Sequence, residues 1–92
     1  MQQESAQIVA LQALSWIATQ DDVFLAFLNA TGASAADLGT QAADADFQGA
    51  ILDFLLGDDA WVIAFCDAQG LRYTDPLAAR LSLPGGADTH WT

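Results

Sequence analysis

The stretch FQGAILDFLLGDDAWVIAFCDAQG, residues 47 to 70, decides the fold. Phe47, Ala50, Ile51, Phe54 and Leu55 recur at the three- and four-residue spacing of one helix face. Gly57 stops that helix. Asp58 and Asp59 start the next, because carboxylates suit the partial positive charge of a helix N-terminus. Trp61, Val62, Phe65 and Cys66 supply its apolar side until Gly70 ends it. No stretch of the chain alternates with period two over a useful length, so no strand competes.

Outward from this segment the same grammar continues. A helix is expected over Gln3–Ala18, where Ile8, Val9, Leu11, Leu14, Trp16 and Ile17 cover most of the surface. Ser5, Gln12, Ser15 and Thr19 leave it one polar stripe, which predicts a largely buried helix. Asp21 and Asp22 open a second helix carrying Phe24, Phe27, Leu28 and Thr31, with Gly32 as its terminating glycine. Ser34-Ala-Ala-Asp37 resembles a capping box and predicts a short helix ending near Ala43. Asp44 or Asp46 caps the helix that follows. Thr74-Asp75-Pro76 starts the last one, with proline at the favoured first position and Leu77, Ala78 and Leu81 on its buried side. From Pro84 the composition turns non-helical. The expected architecture is all-α, a compact bundle of five to six short helices, with one domain over 1–83 and a C-terminal tail over 84–92.

Shifting the sequence by 38 positions lays Ala13–Gly32 over Ile51–Gly70. Asp21 then meets Asp59, Phe27 meets Phe65, and Gly32 meets Gly70. Each copy reads as a helix end, an acidic turn, an amphipathic helix and a glycine. The pattern predicts two comparable helical hairpins on one core, either a true repeat or two similarly capped helix pairs.

Composition agrees with helices and limits function. The chain has 92 residues, enough for one core, and nineteen of them are alanine, the strongest helix former. Twelve acids face only Arg72 and Arg80, with no lysine, for a formal net charge of −10. Two arginines cannot neutralise a phosphate backbone or hold an anionic membrane surface, so neither nucleic acid nor membrane is an expected partner. The longest apolar run, Ala60 to Cys66, is far shorter than the ~20 residues a bilayer requires. The first residues lack the basic region of a signal peptide, so the expected location is cytoplasmic.

The motifs that suggest chemistry weaken on inspection. Asp44-x-Asp46-x-Gln48-Gly49-x-Ile51 follows a calcium-loop pattern, but the twelfth position, which needs a bidentate glutamate, is Leu55. Cys66 and His90 are the only conventional nucleophile and base, yet Cys66 sits in an apolar run and reads as a buried structural cysteine. One histidine and one cysteine give no zinc-site spacing. Most aspartates fall at expected helix starts, where capping accounts for them. No cofactor is expected. Trp16 and Trp61 read as core or near-core residues. Trp91, beyond two glycines and beside His90, reads either as an anchor that folds back or as an aromatic contact for another chain. Trp91, His90 and Trp61 are the candidate interaction residues.

Met1–Ile17, the Asp53-Phe-Leu-Leu-Gly-Asp-Asp-Ala-Trp61 segment within Phe47–Gly70, and the Leu83-Pro-Gly-Gly…His90-Trp-Thr92 ending together resemble a small bacterial family, domain of unknown function 3572, met mainly in α-proteobacteria. The resemblance spans nearly the whole chain. It implies a short cytoplasmic helical protein and carries no assigned activity or catalytic residue.

The preferred expectation is a non-enzymatic helical protein-interaction module with an apolar groove and an acidic surface, whose unknown protein partner is a basic chain or a second copy in a homodimer. The alternative is a binder of a small apolar ligand between helices. An enzyme ranks third, since no convergent set of titratable groups emerges. Because Leu55 stands at the twelfth position of the apparent loop, millimolar calcium is expected to leave the melting temperature where sodium chloride of matched ionic strength leaves it. A calcium-specific rise of several degrees in thermal unfolding overturns that expectation.

Overall fold

Sixteen residues with no glycine or proline form the first helix, α1 (Gln3–Ala18). In the computed structural model, which describes residues 1–84, it is followed by α2 (Asp21–Thr31), a 3-10 turn (Ala35–Asp37), α3 (Leu38–Gln41), α4 (Ala45–Leu56), α5 (Asp59–Gln69) and α6 (Asp75–Ser82). The described residues are therefore all-α. Helix α1 packs against α6, α4, α2 and α5, and α4 and α6 also pack on each other. The whole measures 32 × 26 × 25 Å.

What α1 buries differs from the expectation of a helix covered nearly all round. Its buried side is Ala6, Val9, Ala10, Ala13 and Ile17, whereas Ile8 is 58% exposed and Leu11 faces water as well. The helices packed on α1 meet this one side, and much of the rest of its surface is left to water. Alanines on the covered face let the neighbouring backbones approach closely, and dispersion contacts rise with that closeness.

The last helix also turns otherwise than expected. Leu77 and Leu81 are about half exposed, and the buried side is Pro76 and Ala79, continued by Leu83 just beyond the helix. In this setting Arg80 reaches α4, where its Nε donates to Asp53 Oδ1 at 2.7 Å. The guanidinium lies directly over Gly49: a Cβ there would stand 2.8 Å from Arg80 Nη1 and 3.0 Å from its Cζ. The core face of α4 is accordingly Gln48, Gly49, Ile51, Leu52 and Leu55, with Phe47 and Phe54 half-buried on its flank. Gln48, also on that face, donates from Nε2 to the Ala42 carbonyl at 2.8 Å, while its Oε1 is buried without a hydrogen-bond partner.

The expected capping is realised in part. Asp58 accepts from the Ala60 amide at 2.9 Å and caps α5. Asp44 occupies the N-cap position of α4 without a side-chain bond, and Gln20, not an aspartate, precedes α2. Ser34 and Asp37 do not form a capping box: the Ser34 hydroxyl donates to Asp37 Oδ2 at 2.8 Å, and the segment is a 3-10 turn. Leading carboxylates such as Asp21, Asp22 and Asp59 act through the helix dipole instead.

The 38-residue correspondence extends to hydrogen bonds. Helices α2 and α5 are each 11 residues long and end in a left-handed glycine, Gly32 at φ 72° and Gly70 at φ 70°. The turn between α1 and α2 is closed by Thr19 N–H to Trp16 and Gln20 N–H to Ile17; the turn between α4 and α5 by Gly57 N–H to Phe54 and Asp58 N–H to Leu55. These are the same bonds at equivalent positions. The two hairpins also exchange aromatic contacts. Trp16 of the first meets Phe65 of the second edge-on, with centroids 6.1 Å apart, and Phe54 of the second meets Phe27 of the first edge-on at 5.3 Å. Trp16 corresponds to Phe54 and Phe27 to Phe65, so each contact is the other with the hairpins interchanged. That reciprocity carries the correspondence from the sequence into the contacts between the hairpins.

Gly49 and Gly39 offer a controlled comparison. Nothing lies within 4 Å of a Cβ at Gly39. Gly39→Ala is expected to stabilise by about 0.5–1 kcal/mol, the ordinary helix gain. Gly49→Ala, although deeper in a helix, is expected to gain nothing or to destabilise, because it displaces Arg80 from Asp53. In an Arg80→Met background the same substitution recovers the ordinary gain of about 1 kcal/mol. Urea unfolding of the four variants measures this.

Candidate functional site

The flank of α4 turned away from Arg80 carries Phe47, Ala50 and Phe54, with Asp53 on the ridge between the two flanks. Opposite this flank lie Ala30 and Thr31 at the end of α2. Together these residues line an open groove of about 380 Å³. Its aromatic lining is fixed from beneath: Phe27, fully buried, holds Phe47 edge-on at 5.9 Å as well as Phe54. Trp61 of α5 stacks on Phe54 with centroids 4.8 Å apart and planes at 27°. The Thr31 hydroxyl donates to the Phe27 carbonyl at 2.9 Å and accepts from the Ala33 amide at 3.3 Å. The site is thus an apolar trough with one carboxylate, Asp53, at its edge, and that carboxylate is held by Arg80.

Of the candidate interaction residues, Trp61 is half-buried and acts on the groove through Phe54. His90 and Trp91 lie outside the described residues. The groove's other residues were visible in the sequence only as parts of apolar faces. Their meeting depends on how α2 and α4 face each other, which no local signal in the sequence gives.

A second cluster surrounds Cys66. The thiol is fully buried and donates to the Arg72 carbonyl at 3.3 Å. The Arg72 amide donates to Asp75 Oδ2 at 3.0 Å, and the Tyr73 hydroxyl to Asp67 Oδ1 at 2.7 Å, so the α5–α6 connection is laced to both helices. Burial pushes the Cys66 thiol above its ordinary value, and the charges of Asp75 and Asp67 push it the same way. An activated nucleophile is shifted in the opposite direction. The hydrogen bond to Asp67, followed by its charge, raises the Tyr73 hydroxyl as well. Among the described residues no group of three or more histidines, cysteines or acids converges to hold a metal ion, and no helix is long and apolar enough to cross a membrane.

Among the described residues, fold and groove define a small all-α body with an open, aromatic-lined groove. The model of a protein family described as "Protein of unknown function (DUF3572)" matches residues 3–86, and the chain belongs to that family. No curated protein and no solved structure matches it.

Cys66 is expected to react with a thiol reagent only as fast as the protein opens. Rapid labelling of the native protein contradicts this. Because the thiol binds its proton more tightly in the folded state, its contribution to stability is complete below the unfolded value near 9.0 and is lost as pH rises through the raised folded value. Denaturant midpoints should therefore fall at alkaline pH, and fall less in Cys66→Ala.

Proposed function

We propose that the protein is a non-enzymatic helical interaction module that receives an apolar or aromatic segment of a partner protein in the groove between α2 and α4. The observation that carries this reading is the form of the groove: open along its length, lined by Phe47, Phe54 and two alanines, and edged by a single carboxylate. Surfaces of this kind suit the side chains of a docked helix or extended segment. A binder of small apolar molecules would rather enclose its ligand, since pockets for such ligands cover most of the ligand's surface.

Charge supports a basic partner. A net charge of −10 steers cationic segments toward the protein and repels acidic ones. An enzymatic reading has less support: Asp53, the carboxylate at the groove, is engaged by Arg80, and Cys66 is buried and shifted away from reactivity. Cytoplasmic work suits a chain with one lone thiol and no partner cysteine.

Selection of displayed random peptides on the immobilised protein tests the reading. Enriched sequences should combine one large apolar or aromatic anchor with flanking arginine or lysine, and should perturb the amide resonances of Phe47, Ala50 and Phe54. Ala50→Arg, which fills the groove, should weaken them about tenfold, or 1.4 kcal/mol. Selection that enriches nothing, or peptides whose binding ignores Ala50→Arg, overturns the proposal.

A further inference from the structure

The groove's acidic edge is tied to the point where the chain leaves the helical body. Arg80 donates through Nε to Asp53 and through Nη1 to the Pro84 carbonyl, at 2.7 and 3.3 Å. Pro84 is therefore one guanidinium and two hydrogen bonds from a residue that lines the groove. Residues 85–92, Gly-Gly-Ala-Asp-Thr-His-Trp-Thr, follow directly and contain one large aromatic side chain, Trp91.

The geometry sets what that segment must do to arrive. Arg80 meets α4 along Gly49 and Asp53, and the groove opens along Ala50 and Phe54 on the other flank. Crossing from one flank to the other is a journey of about one helix diameter, ~10–12 Å. The seven residues from Gly85 to Trp91 span up to ~23 Å when extended. Reach is ample, and Gly85 and Gly86 permit the sharp change of direction that the crossing requires.

We propose that Trp91 occupies the α2–α4 groove of its own chain, so that the C-terminal segment competes with any partner for the site. The inference rests on the reading of the groove as a docking surface and names its resident occupant. An indole fits the lining chemically: its faces and edges suit the Phe47 and Phe54 rings, and its N–H, a donor only, finds an acceptor in the Asp53 carboxylate. Tethering favours it over a free competitor, because a short linker holds the segment at an effective concentration in the millimolar range.

The test uses a synthetic peptide of residues 85–92 and the full chain, wild type and Trp91→Ala, with amide resonances of Phe47, Ala50 and Phe54 as the readout. Trp91→Ala by itself should shift those three resonances. The peptide should then bind the variant about tenfold more tightly than wild type, whose groove is already filled. Equal affinity for both chains, or binding to neither, overturns the proposal. So does a groove whose resonances move with protein concentration alongside dimer formation, since Trp91 would then sit in a second copy. If the tail docks but displayed peptides enrich nothing even on Trp91→Ala, whose groove is vacated, the groove takes only its own tail: the partner-binding reading fails and this inference stands. If peptides bind the groove while Trp91→Ala changes nothing, the reverse holds.

Discussion

Helices α1, α4 and α6 pack mutually, and what they bury along that meeting is small: Ala6, Ala10 and Ala13 from α1, Gly49 from α4, Pro76 and Ala79 from α6. Side chains of this size bring helix axes toward the near end of the usual 8–10 Å range. Larger side chains, Ile17 of α1 and Ile51, Leu52 and Leu55 of α4, fill the remainder of the core. Phe47 and Phe54 lie on the flank of that α4 face, where they meet Phe27. On α6, Leu77 and Leu81 face water. The aromatic groove is thus a margin of the core, built from rings that the face of α4 carries at its edge.

The reciprocal aromatic contacts explain how two hairpins with ordinary turns lock into one body. Edge-to-face pairs contribute about 0.5–1.5 kcal/mol beyond the area they bury, and here each hairpin supplies one ring from its first helix and one from its second. Symmetry is broken where the second hairpin adds Trp61 on Phe54, since the equivalent of Trp61 is Val23. The groove lies on the side that carries this extra stack. The paired hairpins therefore supply the body, and a local departure from their correspondence supports the candidate site.

Much of this was legible in the sequence. The bounds of α1, the two glycine stops at Gly32 and Gly70, the proline start of α6 and the paired hairpins all follow from local signals, because caps and periodicity act over a few residues. Which face of each helix turns inward was legible only where one side alone was apolar. Ile8, Leu11, Leu77 and Leu81 defeated that reading, since burial on a small body depends on which neighbour arrives and how close it comes. Gly49 carried no local signal of its role: a glycine inside a helix announces that something approaches, without saying that an arginine from the last helix does. The groove was invisible for the same reason, being assembled from halves of two apolar faces.

The fit of Arg80 over Gly49 also constrains how this sequence can drift. While the arginine is in place, a side chain at position 49 must push the guanidinium aside, so a change at any of the three residues bears on the other two. Loss of the arginine lifts the restriction on the glycine, and a change at the glycine removes much of the reason for the arginine. Related chains should therefore divide into two populations, one holding glycine and arginine together and the other holding neither, with intermediates rare. The divide would run between residues 31 positions apart that share no local motif.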